Sequence, residues 1–286
     1  MSHPVRNRIG RVIYPVVRRA ARSYIAGPEL NDALVSARAL AVQGRASTLA
    51  FWDETGTEPA DVLNACLESL QALQAETFDG YLSVKAPSLQ YSCAAFQRIV
   101  DKCQCKKTRL HFDSLGPDSV DPTWKLIGDL LSGYAQISCT LPGRWKRSQN
   151  DADWAIERGL GVRVVKGQWT DPAMPRFDPH KGFLEVIERL AGRAPFVAVA
   201  THNPSLAEPA LARLLKAGTP CELELLFGLP SNAVLRIAAK MGVRTRVYVP
   251  YGYGWLPYSL SQASKNPMIL FWMLKDALFK KSIEGI

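Results

Sequence analysis

The sequence predicts an α/β fold: a (βα)8 barrel of the TIM type with an N-terminal helical extension and a C-terminal helix. Three observations predict it. Eight short β-rich runs alternate with longer stretches of helical period through most of the 286 residues. No glycine-rich phosphate fingerprint follows any of these runs, which argues against a doubly wound nucleotide-binding sheet. Polar residues recur at one end of runs that are otherwise apolar, as expected where strand ends share one barrel mouth.

In chain order the strand candidates are "STLAFWD" (47–53), "YLSVKAP" (81–87), "TRLHFDS" (108–114) and "AQISCTL" (135–141), then "VRVVKG" (162–167), "PFVAVATH" (195–202), "ELELLFG" (222–228) and "RVYVPYG" (246–252). Amphipathic helix candidates lie between them, among them Pro59 to Ala75, Asp151 to Arg158, Pro204 to Lys216 and Ser231 to Met241. Asn203-Pro204 and Pro230-Ser231 supply helix-start chemistry. With neither an internal repeat nor a low-complexity linker, the chain reads as one domain: a helical extension over 1–45 and the barrel over 46–286.

The strand ends carry Lys85, Asp113, Lys166-Gly167, Thr201-His202, Phe227-Gly228 and Tyr248 with Tyr251-Gly252. A lysine, an aspartate and a histidine at one mouth are more than a barrel needs for stability. Each also has a structural reading. Arg163 can form an interior ion pair with Glu224 or Asp113, Lys85 can pair with Asp113, His202 can be a satisfied core histidine, and tyrosines can simply pack. An unpaired buried cation would be expensive.

Composition narrows the function classes. The chain is 47% apolar, enough for a sizeable core, and no apolar run reaches the roughly 20 residues that span a bilayer. Six cysteines show no framework spacing, and Cys103 with Cys105 lacks a second ligand pair, so free thiols in a reducing cytoplasm are expected and no metal site. The formal net charge is +9. Arg6, Arg8, Arg11, Arg18, Arg19 and Arg22 crowd the N-terminus between Val5, Ile9, Val12, Ile13, Val16 and Val17. That pattern fits a basic interfacial helix or a solvated helix docked on the barrel. The closing "MILFWMLKDALFKKSI" is also helical in spacing. The basic residues are not interleaved with stacking aromatics on a recognisable module, so no nucleic-acid partner is expected.

The strand ends resemble the proline dehydrogenase family, in order and over almost the whole chain. "LSVKAPSL" is similar to that family's "SVK-x-x-x-L", "VRVVKGQW" to "RLVKGAY", "VAVATHN" to its "ATH" strand, "CELELLFGL" to "FEFQMLYGI", and "VRTRVYVPYGYGWLPY" to "VRVYVPYG-x-x-W-x-x-Y". The resemblance implies an enzyme that holds FAD and oxidises a proline-like cyclic secondary amine to an imine by hydride transfer. It implies Lys85, Asp113 and Arg163 as catalytic residues. It implies Arg163, Lys166, Gly167, Trp169, Thr201 and His202 as cofactor contacts, with Gly167 letting backbone approach the cofactor closely. Leu226, Tyr248, Tyr258, Ser261 and Gln262 fall on substrate positions. A quinone or other electron acceptor, and a cytoplasmic enzyme peripheral at a membrane, go with the same resemblance.

The chain departs from the pattern in the segment that reads substrate. The family's "W-x-x-Y-x-x-R-R-x-x-E-N" stands here as "WLPYSLSQASKN", with Ser261 and Gln262 at the arginine positions and Lys265 at the glutamate. Paired arginines grip a carboxylate by bidentate, charge-assisted bonds. Their replacement as a set leaves two further readings open: a flavoenzyme for an amine that lacks the carboxylate, and a non-catalytic barrel. The fourth strand also ends "CTLPGRW", without the glutamine the family offers there.

Overall fold

The computed structural model describes residues 25–254. The basic N-terminal run, the closing helix candidate and the substrate positions Tyr258, Ser261 and Gln262 lie outside the described residues.

All eight predicted strands form: β1 (Ala46–Trp52), β2 (Gly80–Val84), β3 (Leu110–Phe112), β4 (Ile137–Pro142), β5 (Gly161–Val165), β6 (Val197–Ala200), β7 (Cys221–Leu226) and β8 (Thr245–Gly252). They pair in parallel in chain order, and β8 closes on β1. Several end one to three residues before the predicted limit. Lys85, Asp113, Lys166-Gly167 and Thr201-His202 therefore sit on the first loop residues, while Arg163 and Tyr248 remain within strands.

Eight α-helices lie outside the barrel among the described residues. They are α1 (Leu30–Val42), α2 (Pro59–Ala75), α3 (Cys93–Gln104), α4 (Val120–Leu131), α5 (Ser148–Glu157), α6 (Pro179–Leu190), α7 (Pro204–Lys216) and α8 (Asn232–Lys240). Local chemistry sets their starts. Asn203 caps α7 by accepting from the Ser205 N–H at 3.0 Å, and Asp178 caps α6 by accepting from the His180 N–H at 2.8 Å. Proline fills the first position of both. Helix α1 precedes the barrel in sequence but packs on its wall, against β8 and β1. Around it, Gly27 bridges to Tyr251 and the Tyr253 hydroxyl donates to Glu29 Oε1 at 2.8 Å.

The core divides by the strand period of two. Leu82, Leu110, Phe112, Cys139, Leu141, Val162, Val164, Val197, Val199, Leu223, Leu225, Val247 and Val249 belong to one buried apolar cluster with the inner faces of the helices. The alternate residues point into the barrel and are mostly polar: Thr48, Tyr81, Ser83, His111, Ser138, Thr140, Arg163, Glu222, Glu224, Arg246 and Tyr248, which contact one another across the interior. Barrel interiors are usually filled by branched apolar side chains. Here the interior is ionic, and charges persist there because each is paired. At the N-terminal end, Arg246 donates to Glu222 at 2.7 Å and to Asp79 at 3.0 Å, with its guanidinium 4.4 Å from the Tyr81 ring centroid. Arg244 closes that end by pairing with Glu222 at 2.7 Å and with Asp79.

Candidate active site

The C-terminal half of the interior is organised around Arg163, the central residue of β5. Its Nε and Nη2 meet the two carboxylate oxygens of Glu224 at 2.7 and 2.8 Å. Its Nη1 donates to Asp113 Oδ1 at 2.7 Å, and Nη2 also reaches the Tyr81 hydroxyl at 3.3 Å. β6 permits this reach, because Ala198 is the register partner of Arg163 and Ala200 that of Glu224, both too small to block the interior. Burial works against the arginine's charge, yet the carboxylates of Glu224 and Asp113 raise its pKa well above the ordinary value. Both partners anticipated for Arg163 as an ion pair are therefore present, simultaneously.

Asp113 carries the network to the mouth. Oδ1 also accepts from Ser83 Oγ at 2.8 Å, and Oδ2 accepts from the Tyr248 hydroxyl at 2.7 Å. Burial first, and Asp113 second, hold the Tyr248 hydroxyl well above its usual pKa, so it stays a donor. Trp52 Nε1 donates to the Tyr248 oxygen at 3.2 Å, and the Arg163 guanidinium lies 5.1 Å from the Tyr248 ring centroid. His111 spans Ser138 Oγ at 2.8 Å and Thr140 Oγ1 at 2.7 Å, and burial keeps it neutral.

Lys85 is at the mouth but does not pair with Asp113 as expected. Its Nζ donates to the Phe51 carbonyl at 2.6 Å and to Asp53 Oδ1 at 3.3 Å, and stands 6.0 Å from the Trp52 ring centroid. The reason is strand order. β2 lies between β1 and β3, and Lys85, just past its end, leans toward the end of β1. Asp113 is already engaged by Ser83, Arg163 and Tyr248.

The remaining residues at predicted cofactor positions gather on the same rim. Lys166 is exposed, and Trp169, Thr201 and His202 are half-buried. The loop after β5 is fastened to the loop after β4: Arg144 Nε donates to the Gly167 carbonyl at 3.1 Å and Trp145 Nε1 to the Trp169 carbonyl at 2.9 Å. Gly167 has φ +92°, and a Cβ there would lie 2.7 Å from Pro142 Cβ and 3.1 Å from Arg144 Cβ. Packing against the neighbouring loop already requires this glycine, whatever approaches from the mouth. His202 has both nitrogens engaged. Nε2 accepts the Leu226 N–H at 2.9 Å, so Nδ1 carries the proton and donates to the Pro230 carbonyl at 3.0 Å. Burial lowers its pKa. The imidazole thus locks the end of β6 to β7, as the core-histidine reading expected, and leaves only its faces and carbon edge for any ligand.

Sequence reasoning missed Trp52, Asp53, Tyr81 and His111, and met Glu224 only as a partner of Arg163. The available signal was the alternation itself. Tyr81, His111 and Glu224 are polar inward positions between apolar outward ones, and "FWD" closes β1 with the same polar ending that marked the other strands.

No protein-family model matches the chain. It is similar to Proline dehydrogenase 1 of Bacillus subtilis subsp. natto, 22% identical over 279 residues and 92% of each chain. It is likewise similar to Proline dehydrogenase of Deinococcus radiodurans, 23% identical over 268 residues and 86% of each. Among solved structures, proline utilization A from Bdellovibrio bacteriovorus superposes with TM-score 0.70 at 15% identity, over 93% of this chain and 34% of that one. The same protein from Corynebacterium freiburgense superposes with TM-score 0.72 at 13% identity, over 98% and 35%. The chain thus spans about a third of the length of those two structures and nearly all of the two dehydrogenases.

Proposed function

We propose that the chain is an FAD-dependent dehydrogenase that oxidises a proline-like cyclic secondary amine to the imine at the C-terminal mouth of its barrel. The observation that carries this reading is the convergence of Asp113, Arg163, Tyr248, Lys85 and Trp52 there. Whole-length likeness to proline dehydrogenases supports it. A scaffold would need neither a lysine nor a charged cluster at one mouth.

The donor set fits a flavin. Among the described residues, Arg163 has four of its five N–H groups engaged, which leaves one on Nη1. Thr201 Oγ1 accepts from the Asn203 N–H at 3.1 Å and keeps its own hydrogen to donate. Lys166 offers an exposed ammonium for a phosphate, and Trp169 a half-buried ring for stacking. These four would hold the cofactor, with the ring face of His202 beside them. Bound there, FAD would accept the hydride from the carbon next to the amine nitrogen.

The protein's own part is binding, orientation and charge. The amine arrives as a cation, and the mouth offers it acceptors in Asp53 and in the lone pair that Tyr248 leaves on Asp113 Oδ2. Asp113 fixes the direction of the Tyr248 hydroxyl, and Trp52 fixes its lone pair, so the ring makes a rigid wall for substrate. Lys85, held by the Phe51 carbonyl and Asp53, places a cation near a substrate carboxylate if there is one. Leu226, at the end of β7, contributes an apolar contact. Electrons would pass on to a quinone or other acceptor, and the basic N-terminal segment suits contact with an anionic membrane surface.

The replacement of the arginine pair by Ser261 and Gln262 favours a second reading, the same chemistry on an amine without a carboxylate. Turnover of L-proline and pyrrolidine with a quinone acceptor separates the two. Preference for L-proline supports the first, preference for pyrrolidine the second, and turnover of neither amine with any quinone rejects both. If Ser261→Arg with Gln262→Arg raises L-proline turnover by orders of magnitude, the native substrate lacks the carboxylate.

A further inference from the structure

The charge of Arg163 is not delivered unopposed. Glu224 is 2% exposed and its carboxylate is saturated. It accepts two N–H groups from Arg163, the Thr48 hydroxyl at 3.0 Å and the Tyr81 hydroxyl at 3.4 Å. A carboxylate with every lone-pair position filled is not poised to move a proton or bind a metal. What it supplies is a fixed negative charge. Asp113 supplies a second at 2.7 Å. One guanidinium against two carboxylates gives this cluster a formal charge of −1, and the Lys85–Asp53 pair beside it adds none.

We propose that Glu224 is a positioning residue that sets the electrostatics of the cofactor site. It clamps Arg163 side-on across the barrel and, with Asp113, outweighs its charge, so that a flavin at the mouth is harder to reduce than one facing the arginine alone. This rests on the flavin reading above. Two-electron reduction with uptake of one proton leaves one negative charge on the flavin ring, and preorganised charge nearby raises or lowers the energy of that form. With the positive charge already outweighed, the reduced form is stabilised less. The enzyme then passes electrons readily to its acceptor at the expense of a weaker pull on the substrate hydride.

The test is the midpoint potential of the flavin in FAD-loaded protein, by reductive titration against a reference dye. Glu224→Gln removes the charge and keeps the shape, and an upward shift is expected. Glu222→Gln is the control. Glu222 holds Arg246 by the same 2.7 Å bond from Nε, but sits two residues earlier on β7, roughly 6–7 Å further from the mouth. It should lose stability comparably and leave the potential where it was. If Glu224→Gln does not fold, Thr48→Val is read instead. It removes the hydroxyl dipole that partly offsets the Glu224 charge, and the potential should fall. A Glu224→Gln potential equal to wild type, or an equal shift in Glu222→Gln, overturns the inference and leaves the flavin reading standing. A protein that takes up no FAD removes that reading and this inference together.

Discussion

Arg163 and Glu224 form a two-pronged ion pair inside the barrel, Nε to Oε2 at 2.7 Å and Nη2 to Oε1 at 2.8 Å, with both residues below 5% exposure. Breaking such a pair from one side is far worse than never having it, because the remaining charge stays buried without its partner. Arg163→Met should therefore lower unfolding stability by about 3–5 kcal/mol. Adding Glu224→Gln should recover part of that loss, with a coupling of about 1–3 kcal/mol in the double-mutant cycle. Urea unfolding of the four proteins measures it; simple additivity would mean the pair is not coupled.

Gly167 gives a different kind of test. Its φ of +92° and the closeness of Pro142 belong to the protein itself. Gly167→Ala should cost about 1–3 kcal/mol in FAD-free protein from backbone strain alone. Loss of cofactor affinity with unchanged stability would instead assign the glycine to the ligand.

The buried histidines set a pH dependence. Burial pushes His111 well below its ordinary pKa, although Asp113 lies 4.0 Å from Nε2, and it lowers His202 as well. In the unfolded chain both titrate near 6.5. Below that pH the unfolded state binds protons that the folded state refuses, so stability is full above about pH 6.5 and falls as pH drops. The slope is up to roughly 1.4 kcal/mol per pH unit for each histidine. His111→Gln should flatten the profile below about pH 6.5 by up to one proton's worth. An unchanged slope would show that His111 is not held neutral.

Tyr248→Phe removes the donor to Asp113 Oδ2 and the acceptor for Trp52. It should cost about 1–3 kcal/mol through the partners left unsatisfied and lower kcat/KM for the amine substrate. Thermal melts and steady-state kinetics report the two effects separately; unchanged values in both would detach Tyr248 from the site.

Much of this was legible in the sequence. The alternation of runs yielded all eight strands, and α2 and α7 formed with the bounds expected from Pro59 and Pro204. The polar strand ends marked one mouth. Less legible was which charge meets which, because pairing is decided across the barrel, between residues as distant in sequence as Thr48 and Glu224. Lys85 shows the difficulty. A lysine after β2 and an aspartate after β3 suggest a pair, yet the side chain turns to β1 and Asp53. Gly167 shows another. Its type was readable, but the cause was the neighbouring loop at Pro142 and Arg144.

The most direct measurement is the visible spectrum of the purified, FAD-supplemented protein, followed anaerobically as a cyclic secondary amine is added. A yellow protein that bleaches on addition of L-proline or pyrrolidine is expected. A protein that is colourless once unbound FAD has been removed would contradict the assignment of this barrel mouth to flavin-linked amine oxidation.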